Sequence, residues 1–168
     1  MSGEHAPVNV DCINPFLTST INVFRTMVGC ELTRGEPFRL KGAQPAHEIS
    51  GIIGLSGKAI GTVVLSLGRR VALSATGAML GETPPDLNAD VVDAIGELTN
   101  IIAGGAKAQL EQFEMSVTLP SVIMGRNHTV AFPRGITPIA IPFNCEWGPV
   151  CVQVGLCEKE RFFSNFNT

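Results

Sequence analysis

Apolar residues recur every three or four positions between Asn88 and Phe113. They are Val91, Ile95, Leu98, Ile102, Ala106 and Phe113, and Gln109 is the one polar member of the series. At 100° per residue they gather on one face, the pattern of a helix that packs against a core. The opposite face carries a polar stripe of Asp90, Asp93, Glu97, Asn100, Gly104, Lys107 and Glu111. The pattern predicts a helix of about 39 Å.

Shorter patterns on either side predict the remaining elements. A helix is expected from Asn14-Pro15 to Gly29, and a second one over Arg69–Leu80, closed by Gly81. Predicted strands lie at Phe38–Lys41, Glu48–Leu55, Ala59–Leu67, Ser116–Met124, Thr129–Phe132, Thr137–Asn144 and Val150–Cys157. Ser56-Gly57-Lys58 predicts a hairpin turn. The fold class that follows is α+β, a largely antiparallel sheet covered by helices, in one domain over 1–168 with loose ends at 1–11 and 158–168.

Several residues of the polar stripe are poor helix formers. Asn100 lies in mid-helix, where its amide competes for backbone groups. Gly104 follows one turn later, Gly96 and Gly105 flank the stripe, and each glycine costs roughly 1 kcal/mol relative to alanine. These glycines either pack against a neighbouring element or leave a bare surface that another molecule can approach closely.

Composition and charge narrow the function classes. The chain is 45% hydrophobic and 16% charged, which indicates an ordered globular protein. A net charge of −3 gives no indication of a nucleic-acid or anionic-membrane partner. No signal-peptide pattern and no apolar run of about 18 residues is present, so a cytoplasmic location is expected.

Cysteine and histidine patterns favour neither a disulfide nor a metal. The five cysteines include no C-x-x-C pair, and His5, His47 and His128 match no zinc spacing. Buried, reduced thiols are therefore expected.

The spacing Asp93-x3-Glu97-x2-Asn100, within ELTNIIAGGAKAQL, resembles the active-site pattern of the CheC/CheX/FliY chemotaxis phosphatases, and most of all the CheX branch. The resemblance in element order spans about residues 10–157. Two-site members carry a second E-x-x-N on the first helix. Here that position reads Ser19-Thr20-Ile21-Asn22, which favours the single-site type. Pro120 follows Asn100 by 20 residues, closer than the family pattern implies, and is interpreted as structural.

The resemblance implies hydrolysis of the aspartyl phosphate of a CheY-type response regulator. Asn100 would orient the attacking water, and Glu97 would pair with a lysine of the regulator. Asp93, Gly104 and Lys107 would contact the partner. No cofactor is expected on this chain, since Mg²⁺ would be held by the regulator. A homodimer is expected, formed through the sheets with C-terminal strands contributing and with the polar stripes left open.

Two other functions are compatible with the sequence. One is a module that binds a response regulator without hydrolysing its phosphate, although the intact Glu97/Asn100 pair speaks against it. The other is a hot-dog-type thioesterase, which also wraps an antiparallel sheet around a long helix. The two predicted helices over 69–113 fit that fold poorly.

Overall fold

The computed structural model describes residues 10–42, 46–164 and 166. Within them four α-helices are formed, Val10–Val23 (α1), Arg69–Leu80 (α2), Ala89–Ala108 (α3) and Lys159–Ser164 (α4). A π-helical turn at Phe24–Val28 continues α1, and a 3-10 turn at Glu111–Phe113 follows α3.

The strands join into one antiparallel sheet. In the described part of the chain they are Thr33–Arg34 (β1), Phe38–Arg39 (β2), Ile49–Ser56 (β3), Ala59–Leu67 (β4), Ser116–Val117 (β5), Ser121–Met124 (β6), Ile139–Cys145 (β7) and Gly148–Glu158 (β8). Their order is β1-β7-β8-β4-β3-β5, with β2 also pairing with β7 and β6 with β3. The predicted α+β class is thereby confirmed.

Helices α1, α2 and α3 cover one face of this sheet. Alternate residues of β3 and β4 point towards them, among them Ile53, Val63 and Leu65, which are fully buried in the same core as the helices. At Gly51 of β3 an added Cβ atom would lie 2.0 Å from Oγ1 of Thr99 in α3. The missing side chain lets α3 approach the sheet closely.

The predicted hairpin and second helix are confirmed. β3 and β4 pair from Ile49↔Leu67 to Leu55↔Gly61 around the turn that contains Gly57. Helix α2 has the predicted bounds, and Gly81 ends it in the left-handed conformation, with its N–H donating to the Gly77 carbonyl.

The predicted long helix ends earlier than its apolar series. Helix α3 stops at Ala108, so its length is about 30 Å. Gln109 is exposed, and Phe113 lies in the separate 3-10 turn. Leaving the helix lets the chain bury Leu110 and Met115, and this burial outweighs continuing a helix whose next residue is polar.

The first helix begins earlier than predicted. It starts at Val10 and carries Pro15 inside it, whereas a start at Asn14-Pro15 was expected. Gly29 caps its π-helical continuation as predicted. Residues 1–9 of the expected loose start lie outside the described residues, and part of the expected loose C-terminal end forms α4.

Two strand predictions need correction. The expected strand Ser116–Met124 is broken into β5 and β6 at residues 118–120, where Pro120 has no N–H to donate. The expected strand Thr129–Phe132 is absent, and only Thr129 makes an isolated bridge. Instead, this segment folds back over the sheet, so that Phe132 and Ile136 contact the backbone position of Gly155 in β8.

Candidate active site

Helix α3 is held rigidly by its apolar face. Its core-facing residues Val91, Ile95, Leu98, Ile102 and Ala106 are all fully buried. At its start Asn88 is the N-cap, and its Oδ1 accepts a hydrogen bond of 3.2 Å from the Val91 N–H. A helix fixed in this way presents its opposite face in one orientation.

The opposite face is the polar stripe predicted from the sequence. Asp93 and Glu97 are exposed, and Asn100, Gly104 and Lys107 are partly exposed. Neither Glu97 nor Asn100 has a side-chain hydrogen bond or ion pair with another residue that the structure describes. Their carboxylate and carboxamide are therefore available to an incoming molecule. Residues three apart on a helix have Cβ atoms about 5–6 Å from each other, so one bound group can contact both.

The three glycines of α3 play different parts. A Cβ atom at Gly96 would lie 3.5 Å from the Pro120 ring, and one at Gly105 would lie 2.5 Å from Oγ of Ser19. These two glycines pack against neighbouring elements. A Cβ atom at Gly104 would meet nothing within 4 Å, so the helix surface there is bare. The two explanations considered for the glycines thus both apply, at different positions.

Asn100, Gly104 and Lys107 line one open groove of about 510 Å³. Its far wall is formed by Glu111, Glu114, Met115 and Val117, together with Ala108 and Leu110. Glu97 and Asp93 are not part of its lining, since they lie one and two turns nearer the start of the helix than the groove. Of the five predicted site residues, Asn100, Gly104 and Lys107 therefore share one groove. Asp93 and Glu97 lie outside it, on the same face of α3.

A short loop between β5 and β6 runs beside the stripe. The Gly54 N–H donates to Thr118 Oγ1 at 2.9 Å, and the Thr118 N–H donates to the Gly54 carbonyl at 3.0 Å. Pro120 packs on Gly96, which supports its structural interpretation. Leu119, between Thr118 and Pro120, is 90% exposed. Sequence analysis missed this loop by predicting a continuous strand, although Pro120 itself marks the break.

Helix α1 carries no equivalent of the Glu97/Asn100 pair. Ser19 is buried, and its hydroxyl donates to the Ile102 carbonyl of α3 at 2.9 Å. Asn22, three residues on, is exposed. With a hydroxyl used for packing where a carboxylate would be needed, α1 offers an amide alone.

All five cysteines are free thiols, but only Cys30 is buried, so the expectation of burial holds for that residue and not for the other four. Removal from water raises the pKa of Cys30 to about 12, and the partial burial of Cys151 raises the pKa of that thiol to about 11. Among the described residues no group of three His, Cys, Asp or Glu side chains is placed to hold a metal ion. No helix of that part of the chain is long and apolar enough to cross a membrane.

Comparison with known proteins gives consistent matches. Residues 49–144 match the family model of the chemotaxis phosphatase CheX. A curated relative, the CheY-P phosphatase CheX of Thermotoga maritima, is 29% identical over 118 residues, which cover 68% of this chain and 76% of the relative.

Solved structures agree with these matches over almost the whole chain. A CheC-like superfamily protein from Shewanella sp. PV-4 is 35% identical with a TM-score of 0.84, covering 89% of this chain and 99% of that one. The chemotaxis protein CheX of Vibrio vulnificus is 33% identical with a TM-score of 0.82, covering 88% and 99%. A CheX–CheY–BeF3–Mg²⁺ complex from Borrelia burgdorferi matches at 26% identity with a TM-score of 0.76, covering 89% and 100%.

Proposed function

Because the chain belongs to the CheX family of chemotaxis phosphatases, we propose that it hydrolyses the aspartyl phosphate of a CheY-type response regulator. Glu97 and Asn100 of α3 are the catalytic residues in this proposal. The observation that carries it is their position: a carboxylate and a carboxamide stand unpaired on the open face of a helix whose other face is completely buried. Family membership also removes the thioesterase alternative.

Asn100 would position the attacking water. Phosphoryl transfer to water passes through a loose transition state, so placement and charge stabilisation contribute more than covalent help from the enzyme. The carboxamide oxygen can accept a hydrogen bond from the water while the amide group donates elsewhere, which fixes the line of approach. The water oxygen bonds to phosphorus as the bond between phosphorus and the aspartyl oxygen breaks, giving inorganic phosphate and a free carboxylate. No intermediate is formed on this chain.

Glu97 would orient the regulator by pairing with a lysine near the phosphorylated aspartate. The polar stripe suits a cationic contact because Asp90, Asp93 and Glu97 lie on its first half. Complementary charge of this kind mainly fixes orientation and speeds encounter. Asp93, Gly104 and Lys107 would complete the contact surface along the helix.

Mg²⁺ would be supplied by the regulator. In the Borrelia burgdorferi complex the phosphatase is crystallised with CheY, BeF3 and Mg²⁺. In this proposal the ion neutralises charge on the phosphoryl group when it is bound, and the residues of this chain supply the water-positioning amide and the orienting carboxylate. We also propose a cytoplasmic location, where such a regulator would be met.

Substitution of Asn100 tests the catalytic assignment. Asn100→Ala removes a contact that strengthens only in the transition state, so it should lower kcat by about 10²–10³-fold and leave regulator binding nearly unchanged. Glu97→Ala should weaken binding as well as rate, because it removes a charge-assisted contact across the interface. The measurement is the rate of phosphate release against the concentration of a CheY-type regulator phosphorylated with acetyl phosphate.

Asn22→Ala is the matched control. It removes the same exposed carboxamide from α1, where no carboxylate accompanies it, and should change neither rate nor binding. None of the three substituted side chains has a hydrogen bond or an ion pair with another described residue, so melting should be unchanged within about 0.5 kcal/mol of stability. If Asn100→Ala hydrolyses like the wild type, its proposed role is wrong. A wild-type chain that binds the regulator without accelerating phosphate loss is a binding module.

We further propose that the chain forms a homodimer through its sheet. Strand β8 is paired with β4 over residues 150–158 and with β7 over residues 148–154, so it lies inside the sheet. Free backbone edges are offered by β6 at one side and by β1 and β2 at the other. Ile123 and Met124 of β6 are exposed apolar residues at such an edge. Sedimentation that finds only monomer at micromolar concentration would contradict this.

A further inference from the structure

Leu119 is an apolar side chain that the fold holds out in solvent. It is 90% exposed, the highest value for a large hydrophobic residue in the described part of the chain. Single exposed leucines are ordinary on protein surfaces, so exposure alone assigns no role. The setting of this residue is more informative.

The loop that carries Leu119 is fixed on both sides. Thr118 is bonded to the Gly54 backbone of β3 through both its N–H and its hydroxyl. Pro120 packs on Gly96 of α3, and the next residue, Ser121, pairs with Ile52 of β3. Leu119 is therefore presented at a defined place by anchored neighbours. Holding a side chain in this way reduces the conformational entropy that a partner must overcome when it binds.

That place is the Asn100 side of the polar stripe. Gly96, which Pro120 touches, is one turn before Asn100 on the same side of α3. Val117, two residues before Leu119, lines the same groove as Asn100 and Gly104. The loop thus lies on the side of α3 that carries the Asn100 carboxamide.

We propose that Leu119 is a docking contact for the response regulator and contributes to substrate affinity rather than to the chemical step. The proposal rests on the proposed function. A standard interface buries about 800 Å² on each partner, so a regulator centred on Asn100 reaches roughly 16 Å in every direction. The contacts from Asn100 through Gly96 and Pro120 keep Leu119 within about that distance. A regulator of this footprint that brings its phosphoaspartate to Asn100 would cover this leucine and remove it from water.

The test compares binding with turnover for Leu119→Ser in the full chain. Binding is measured by titrating a CheY-type regulator that carries beryllofluoride and Mg²⁺, and turnover by phosphate release from the phosphorylated regulator. Loss of one central apolar contact should raise Kd and KM about tenfold and leave kcat within about twofold. Leu119→Met should restore binding to near wild type. For Asn100→Ala the opposite is expected, a lower kcat with binding nearly unchanged.

Phe38→Ser is the control for loss of an exposed apolar side chain. Phe38 lies on β2, at the edge of the sheet opposite β5 and β6, and is 44% exposed. It should leave Kd, KM and kcat unchanged. Sedimentation of Leu119→Ser beside the wild type shows whether the residue contacts a second copy of the chain instead.

Each outcome decides the proposal. Unchanged Kd and KM in Leu119→Ser overturn it, and so does loss of self-association with regulator binding intact. Leu119-dependent binding by a wild-type chain that does not accelerate hydrolysis supports the docking contact and defeats the proposed function. Absence of both binding and hydrolysis with every CheY-type regulator of the same genome defeats both.

Discussion

Adjacent glycines of α3 should respond in opposite directions to the same substitution. Gly104→Ala removes a helix-interior glycine, and its Cβ atom meets nothing within 4 Å. The helix propensity gained is roughly 1 kcal/mol, which for a domain of this size raises Tm by about 2–4 °C. The substitution should therefore stabilise the protein.

Gly105→Ala gains the same propensity but meets Ser19. Its Cβ atom would lie 2.5 Å from Oγ of Ser19, whose hydroxyl donates to the Ile102 carbonyl. Moving that hydroxyl leaves buried polar groups without partners, at a cost of about 1–3 kcal/mol. The cost offsets or exceeds the gain, so Gly105→Ala should be less stable than Gly104→Ala by about 1–3 kcal/mol.

Gly104→Leu separates stability from docking. Leucine is nearly as good a helix former as alanine, so the fold should persist, while its bulk covers the bare surface next to Asn100. We expect at least a tenfold loss of kcat/KM on the phosphorylated regulator, consistent with a blocked approach. Urea denaturation gives the stabilities, and phosphate release gives the activity. If Gly104→Ala is destabilised, the open space is filled in solution. If Gly104→Leu hydrolyses normally, no partner approaches that surface.

Further substitutions test the fold and its titrating groups. Asn88→Ala removes the N-cap of α3 and should cost about 1 kcal/mol in urea denaturation. Gly61→Ala would place a Cβ atom 2.0 Å from the Gly155 carbonyl oxygen in the central strand pair, and should cost about 3 kcal/mol by the same measurement. The pKa of Cys151, raised by burial to about 11, should make its alkylation at pH 8 far slower than that of a free thiol, as followed by mass spectrometry. Burial lowers the pKa of His47 from its ordinary 6.5, so the unfolded chain binds more protons as the pH falls below that value. Stability should therefore decrease there, and His47→Gln should reduce the slope of stability against pH below about pH 6.5.

The local pattern of apolar and polar residues was sufficient to predict those parts of the fold in which helix or strand periodicity decides which side chains are buried. The buried face of α3 and the pairing of β3 with β4 were predicted because helix and strand periods decide which side chains point inward. The end of α3 was not, because Leu110 and Met115 are buried in the core that the helices share with the sheet, and local sequence does not show that core. The apolar series continues to Phe113, but packing against the rest of the core ends the helix at Ala108 and places Phe113 in a 3-10 turn.

For the candidate site, too, some features could be predicted from the local pattern and others depend on tertiary packing. Glu97 and Asn100 could be placed on one face from their spacing, because that face is a property of the helix alone. Gly104 and Gly105 could not be told apart, since only the position of α1 makes one open and the other packed. The Leu119 loop was hidden for a related reason, as its anchors are Gly54 and Gly96, far away in the sequence.

The hydroxyl of Ser19 limits what α1 can carry on the side that faces α3. It donates to the Ile102 carbonyl beside Gly105, so α1 and α3 are in close contact there. A Ser19→Glu substitution would bring a carboxylate against a carbonyl oxygen, two acceptors with no proton between them, in a space that already lacks room for a methyl group at Gly105. A second Glu/Asn pair on α1 would first require α1 to move away from α3, at the expense of the helix that carries Glu97 and Asn100. Close packing of the two helices therefore restricts this domain to one such pair.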